Sequence, residues 1–245
     1  GVVHAPAAID ASRSPRYGPP VSPPCRCLVL DHDDTVVDSS PVIHYAAHVE
    51  SLRVLRPGMA PVDLDGWFLK NFDPGIGRYL QEELGLSDDE MTTEYAIWRR
   101  YATSIVPRFF PGILETLRDF RAAGGTIVVV SHSESDVIRS HYAGAGAPPE
   151  AMPDAVYGWD SGEGRRKPDP WPVDDLRSRF GVDAHEVLVL DDLKPGVDMA
   201  RAAGVPVAAA GWAHRLAPIE RYMREHCVAY FESVAAFRAF LLPAG

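Results

Sequence analysis

The chain has 245 residues, enough for one large domain or for one domain with a smaller insert. Its 24 basic and 34 acidic residues leave a net charge of −10, which disfavours nucleic acids and anionic membrane surfaces as main partners. Three cysteines are too few for a disulfide framework or a zinc site, and no apolar run could span a bilayer, so we expect a cytoplasmic protein.

The first 24 residues are rich in Pro, Ala and Ser, and we expect residues 1–24 to form a flexible leader. Cys25 and Cys27 then alternate at the start of an apolar run. The alternation predicts that both thiols face the same side of a strand, as small core residues.

A short apolar run predicts a buried strand that ends at Leu30, and three acids, Asp31, Asp33 and Asp34, follow it directly. Carboxylates this close repel one another unless a cation or strong hydrogen-bond donors compensate. In an open α/β sheet, ligands bind at the carboxyl ends of strands. The pattern therefore favours a hard metal ion and carboxylate chemistry. The simpler alternative is an acidic turn whose side chains bond their own backbone.

Between about Ser39 and Val106 the apolar and aromatic residues recur at helical spacing, broken by Pro-Gly and Asp-Pro-Gly turns. The pattern predicts a small helical module without strands. Its predicted limits are 40–106, which leaves 25–39 and 107–245 for the main domain.

The rest of the chain alternates strands and helices, which predicts an α/β fold with a mainly parallel, Rossmann-like sheet and helices on both faces. The predicted strands cover 126–130, 155–158, 187–190, 205–209 and 228–231, and the predicted helices cover about 111–123, 134–142, 171–180, 196–203, 215–225 and 233–242.

Polar residues follow three of these strands: Asp31 and Asp33 after the first, Ser131 after the second, and Asp191 with Asp192 after the fourth. Because the carboxyl ends of parallel strands share one edge of a sheet, we expect these side chains to converge. The convergence predicts a functional site.

Four ordered motifs resemble those of the haloacid dehalogenase-like hydrolase superfamily. They are Asp-x-Asp-x-Thr at residues 31–35, a Ser at the end of the second strand, Lys167-Pro168, and the acidic pair Asp191-Asp192. The resemblance covers about 26–39 and 107–231, and the helical module lies where this family carries a helical cap of the first type. Asp34 departs from the usual Gly, although Asp also tolerates a positive φ. It adds negative charge beside an anion site.

The resemblance implies that Asp31 is the nucleophile that forms an aspartyl-phosphate, and that Asp33 is the general acid and base. It also implies a Mg²⁺ ion held by Asp31, by the backbone carbonyl of Asp33 and by Asp192, with Asp191 assisting.

The implied substrate is a small phosphorylated metabolite, with the phosphate bound by Ser131, Lys167 and the backbone N–H of His132. Arg78 lies in a segment that resembles the family's substrate-contacting cap loop. Each residue also has a structural interpretation, such as a solvated lysine, a helix N-cap or an exposed arginine.

The implied function is a Mg²⁺-dependent phosphatase. A phosphomutase of phosphorylated sugars is the first alternative. That branch usually carries a hinge His at a set distance in sequence from the nucleophile, and His44 lies one residue beyond that distance, which argues against this alternative. His44 and His48 lie one helical turn apart, and without a third ligand we assign them to a helix face. A metal-independent dehalogenase usually lacks the second Asp, so Asp33 argues against it. A catalytically idle binding protein is the last alternative.

Overall fold

The computed structural model describes residues 23–243, so the predicted leader lies outside the described residues except for its last two positions. Eight strands form in this part of the chain. In chain order they are β1 (Cys27–Leu30), β2 (Val37–Asp38), β3 (Arg108–Phe109), β4 (Thr126–Val130), β5 (Ala155–Tyr157), β6 (Val187–Asp191), β7 (Val207–Ala210) and β8 (Ala229–Phe231).

Ten α-helices form in the same described range. They are α1 (Tyr45–Leu55), α2 (Leu64–Phe72), α3 (Ile76–Arg78), α4 (Asp88–Ser104), α5 (Ile113–Ala122), α6 (Ser135–Gly144), α7 (Trp171–Phe180), α8 (Lys194–Ala202), α9 (Ala217–His226) and α10 (Val234–Leu241).

Six strands form one parallel sheet in the order β5-β4-β1-β6-β7-β8, with β1 near its centre. Apolar residues of β1 alternate between two hydrophobic clusters: Leu28 and Leu30 face one, and Cys27 and Val29 face the other. Helices α5, α6 and α10 cover the first face, and α7, α8 and α9 cover the second. The predicted α/β fold is confirmed.

The prediction that both cysteines share one side of a strand was wrong. Cys25 belongs to the cluster that contains Leu28, whereas Cys27 belongs to the opposite cluster. The reason is that β1 begins only at Cys27, so the strand alternation does not extend back to Cys25. Both thiols are buried and free, as small core residues.

Some helices and strands begin a few residues away from their predicted first residues, for local reasons. Helix α8 begins at Lys194 rather than at Gly196, because Pro195 suits the first turn of a helix. Strand β7 begins at Val207 because the preceding residue, Pro206, has no N–H to give to the ladder.

Residues 40–106 contain helices and turns, including two five-residue π-helical segments, Ser40–His44 and Tyr79–Glu83. The two-stranded antiparallel pair β2–β3 joins the two ends of this segment, with Val37 opposite Phe109. The sequence did not predict this pair because two residues are too short to show strand periodicity. The limits of the cap domain stay a prediction.

Helix α4, the longest helix of this segment, begins with a capping box, in which Ser87 accepts from the Glu90 N–H and Glu90 accepts from the Ser87 N–H. Within residues 23–243, each helix is too short or too polar to cross a bilayer.

Candidate active site

The predicted residues from three strands meet at the carboxyl edge of the sheet. Leu30 is paired with both Val129 and Leu190, so β1, β4 and β6 end at nearly the same level of the sheet. The Asp31 N–H continues the ladder by donating to the Leu190 carbonyl at 2.9 Å. Asp31 and Asp191 are buried here.

Lys167 joins this group from the loop before α7. Its Nζ lies 2.8 Å from Asp31 Oδ1 and 2.7 Å from Asp191 Oδ2, with the side chain 5% exposed. Burial alone would lower the pKa of this amine, but the two carboxylates outweigh it and raise the pKa above its usual range. The lysine is therefore a fixed cation within the site.

The carboxylates of Asp31, Asp191 and Asp192 form a cluster that suits a metal ion. One oxygen from each lies within 4.8 Å of the others, and all three residues are buried. Burial and mutual repulsion raise the pKa of Asp31 and of Asp192, while Lys167 opposes the rise. A divalent cation would relieve this repulsion, and an all-oxygen donor set is the one that Mg²⁺ prefers.

Asp192 contacts two side chains: Thr35, which belongs to the first motif, and His214, which lies outside the four motifs. Thr35 Oγ1 lies 3.5 Å from its Oδ1 and donates to Asp31 Oδ2 at 3.1 Å. His214 Nε2 lies 2.8 Å from Asp192 Oδ2, and its ring packs on Phe68. Burial lowers the pKa of His214, which favours the neutral ring with its proton on Nε2. The same strand-end rule that found Asp191 could have found His214, since it follows β7.

Asp33 is surrounded by hydrogen-bond donors. Ser39 donates to its Oδ1 at 2.8 Å, and Ser133 and Ser131 donate to its Oδ2 at 2.6 and 3.3 Å. His44 Nε2 lies 2.8 Å from Oδ1. Burial alone would raise the pKa of Asp33, but these groups hold it well below its usual range.

His44 is a site residue that the sequence analysis assigned to a helix face. A π-helical turn takes up about one residue more than an α-helical turn, and the Ser40–His44 turn brings His44 onto Asp33. Trp98 Nε1 donates to His44 Nδ1 at 3.0 Å, which requires an unprotonated Nδ1. This contact therefore selects the tautomer with the proton on the nitrogen that faces Asp33.

Asp34 adopts a φ of 60°, as the motif position requires. Its Oδ1 accepts from the Ser40 N–H at 3.0 Å, and its Oδ2 accepts from the Ser40 hydroxyl at 2.5 Å. Burial raises the pKa of Asp34 to about 6. The extra carboxylate is thus tied to the start of the helical segment, beside the loop that carries Asp31 and Asp33.

The remaining predicted residues occupy different positions. Ser131 Oγ accepts from the Ser133 N–H at 3.0 Å, so it lies beside Asp33. The ring of His132 contacts the Lys167 carbonyl at 2.7 Å, and this leaves its backbone as the predicted phosphate donor. Arg78 borders the cavity, but its guanidinium is exposed and pairs with Glu82 at 3.0 Å.

A cavity of about 860 Å³ opens above the carboxylates. Its floor includes the site residues of the sheet edge, and its walls come from α2, α3 and α4. Aromatic rings from α2 and α4 make up much of these walls, and Trp159 lines the cavity from outside these helices; the helical rings are Trp67, Phe68, Phe72, Tyr95 and Trp98. The cavity would admit a molecule much larger than a phosphate ion to the Asp31 carboxylate.

A parallel sheet with paired acids at one edge and a lysine between them defines a class of carboxylate-dependent hydrolases. The profile of the haloacid dehalogenase-like hydrolase family matches residues 25–204. The chain belongs to this family, which confirms the resemblance and the prediction of an enzyme.

Curated relatives and solved structures agree with this assignment. A phosphoglycolate phosphatase of Thiobacillus denitrificans is 26% identical over 75% of this chain and 82% of its own length. One of Rhodospirillum rubrum is 27% identical over 79% of this chain and 83% of its own. A haloacid dehalogenase-like structure from Bacteroides fragilis has a TM-score of 0.72 at 20% identity, covering 87% of this chain and 99% of that one.

Proposed function

We propose that this protein is a Mg²⁺-dependent phosphatase that acts on a small phosphorylated metabolite through an aspartyl-phosphate. The observation that supports this most is the position of Asp31. Its carboxylate contacts the Lys167 ammonium, adjoins the Asp191–Asp192 cluster and faces the cavity. The phosphoglycolate phosphatases among the relatives support the same reaction class.

In the proposed reaction, an Asp31 oxygen attacks phosphorus while the bond from phosphorus to the leaving oxygen breaks. Asp33 protonates that oxygen, and then takes a proton from the water that hydrolyses the acyl phosphate. The Lys167 ammonium and the Ser131 hydroxyl stabilise the charge on the transferred phosphoryl group, with the His132 N–H as a further donor. When bound, Mg²⁺ would supply positive charge among Asp31, Asp191 and Asp192, the residues that would hold it.

Asp33 must acquire a proton before it can act as an acid. The surrounding donors keep it ionised in the free enzyme, because they hold its pKa well below the usual range. A phosphate dianion beside it raises the pKa by like-charge repulsion. Substrate binding therefore moves Asp33 toward the protonated state that the first step requires.

The first test is hydrolysis of 4-nitrophenyl phosphate with Mg²⁺ and with a chelator. We expect turnover only with Mg²⁺, because the buried carboxylates repel a dianion unless a cation is bound. Asp192→Asn should raise the Mg²⁺ concentration needed for half-maximal rate by about tenfold or more. Full activity of the native chain in chelator would contradict the proposal.

A phosphomutase is the second candidate, because His44 reaches Asp33 despite its late position in the sequence. A structure from Bacteroides vulgatus, named as a candidate β-phosphoglucomutase, shares the fold, with a TM-score of 0.68 and 18% identity over 89% of this chain and 88% of that one. Identity this low supports the fold alone.

Phosphorus NMR of a hexose 1-phosphate, with a trace of the hexose bisphosphate, separates the two functions. We expect inorganic phosphate as the main product, because Asp31 lines a cavity of about 860 Å³ that has room for water beside the substrate. Accumulation of the hexose 6-phosphate, with little free phosphate, would favour the mutase instead.

A further inference from the structure

One face of α4 forms a wall of the cavity. Met91, Glu94, Tyr95 and Trp98 all line it, and their spacing of three or four residues places them on the same side of the helix. Glu94 is the carboxylate on this wall, and it lines the same cavity as Asp31 and Lys167. No step of the proposed phosphoryl transfer uses it.

Glu94 is partly buried and has no hydrogen-bond or ion-pair partner among residues 23–243, in contrast to Glu90 on the same helix, which pairs with Arg56. Burial raises the pKa of Glu94 to about 7, and the interaction with His44 opposes this rise. Partial burial of a carboxylate without a partner carries a desolvation cost. A cation or donor that enters the cavity would remove this cost.

The surroundings favour a cation. The rings of Tyr95 and Trp98 belong to this wall, Trp67 lines the same cavity, and aromatic faces attract ammonium groups. The nearby cap arginine is already engaged, since Arg78 pairs with Glu82. Arg166 also lines the cavity and is engaged as well, since its guanidinium lies 3.2 Å from the centre of the Trp159 ring.

We propose that Glu94 selects phosphate monoesters whose leaving group carries a protonated amine. The substrate would span the cavity, with its phosphate at Asp31 and Lys167 and its ammonium between Glu94 and the aromatic rings. Ionised Glu94 would repel a leaving group that carries a carboxylate, such as the glycolate that the named relatives release. This inference rests on the proposed phosphatase function.

The test uses three aryl phosphates that differ only at the para position: aminomethyl, hydroxymethyl and carboxymethyl. Native enzyme, Glu94→Gln and the control Glu115→Gln, a change on an exposed surface of α5, are assayed for kcat/KM with Mg²⁺. We expect Glu94→Gln to lower kcat/KM for the aminomethyl ester about tenfold or more, mainly through KM. The hydroxymethyl ester should change less than about threefold, and the carboxymethyl ester should improve. Glu115→Gln should match the native enzyme.

The outcomes separate this inference from the proposed function. Hydrolysis of all three esters with no selective effect of Glu94→Gln would overturn the inference and leave the phosphatase intact. An equal loss on all three would show a structural role and would also overturn it. A selective loss on the hydroxymethyl ester would assign Glu94 to neutral polyols instead. If the native enzyme hydrolyses none of them, the proposed function fails, and the inference fails with it.

Discussion

Asp31→Asn is expected to abolish Mg²⁺-dependent hydrolysis of aryl phosphates, with a loss of at least about 10³-fold in kcat. An amide oxygen is a poor nucleophile toward phosphorus and forms no acyl phosphate that water could cleave. The neighbouring carboxylates are held by further contacts, Asp191 by the Leu193 N–H and Asp192 by His214, so we expect neither to replace Asp31. Steady-state rates with saturating Mg²⁺ measure the effect.

The fold should survive Asp31→Asn. Burial raises the pKa of Asp31, so its ionised form is disfavoured in the folded state and a neutral amide relieves repulsion with Asp191 and Asp192. We therefore expect a melting temperature in chelator equal to or above the native one. Asp174→Asn, at an exposed position of α7, serves as the matched control and should keep full activity. Residual turnover above about 10% in Asp31→Asn would remove Asp31 from the nucleophile role.

Lys167→Met has the second large effect, on both rate and stability. Removing the ammonium leaves Asp31 and Asp191 buried without their cation, and breaking a buried ion pair costs about 3–5 kcal/mol of unfolding free energy. The rate should fall about 10²- to 10³-fold, as for the loss of one fixed donor to a transition-state oxygen. Denaturant unfolding and kcat report the two effects separately.

The stability loss in Lys167→Met should depend on pH. In the native chain, burial raises the pKa of Asp31 and Lys167 lowers it. Without Lys167, the pKa of Asp31 should therefore rise further above the unfolded value of about 3.9. The folded variant then binds protons that the unfolded chain has released, so its stability falls as pH increases through the folded pKa. The deficit relative to the native chain should be larger at pH 8 than at pH 5 in chelator.

Lys70→Met is the control for this substitution. Lys70 pairs with Glu83 on the surface of the helical segment, away from the carboxylates. It should leave kcat and the pH dependence of stability close to native values. A Lys167→Met variant whose melting temperature showed no pH dependence beyond that of Lys70→Met would refute the assigned charge balance.

The sequence by itself determined the fold class and the line of acids along the sheet edge. Strand and helix periodicities are local, and in a parallel sheet the polar residue after each strand must reach the same edge. Asp31, Ser131 and Asp191 could therefore be placed together from spacing alone. The motif order then identified the family, although Lys167 in isolation resembled an ordinary surface lysine.

Only the tertiary structure decided which side chains hold the acids. The strand-end rule could bring Ser133 and His214 to this edge, but only the fold shows that Ser133 and His44 contact Asp33 and that His214 contacts Asp192. The contact of His44 with Asp33 depends on a π-helical turn, because the extra residue in that turn changes the side of the helix on which His44 lies. Helix α4 carries several acids, and the sequence does not distinguish Glu94 from them. That Glu94 lines the cavity and lacks a partner among residues 23–243 is decided by the fold, because burial and pairing are properties of the assembled chain.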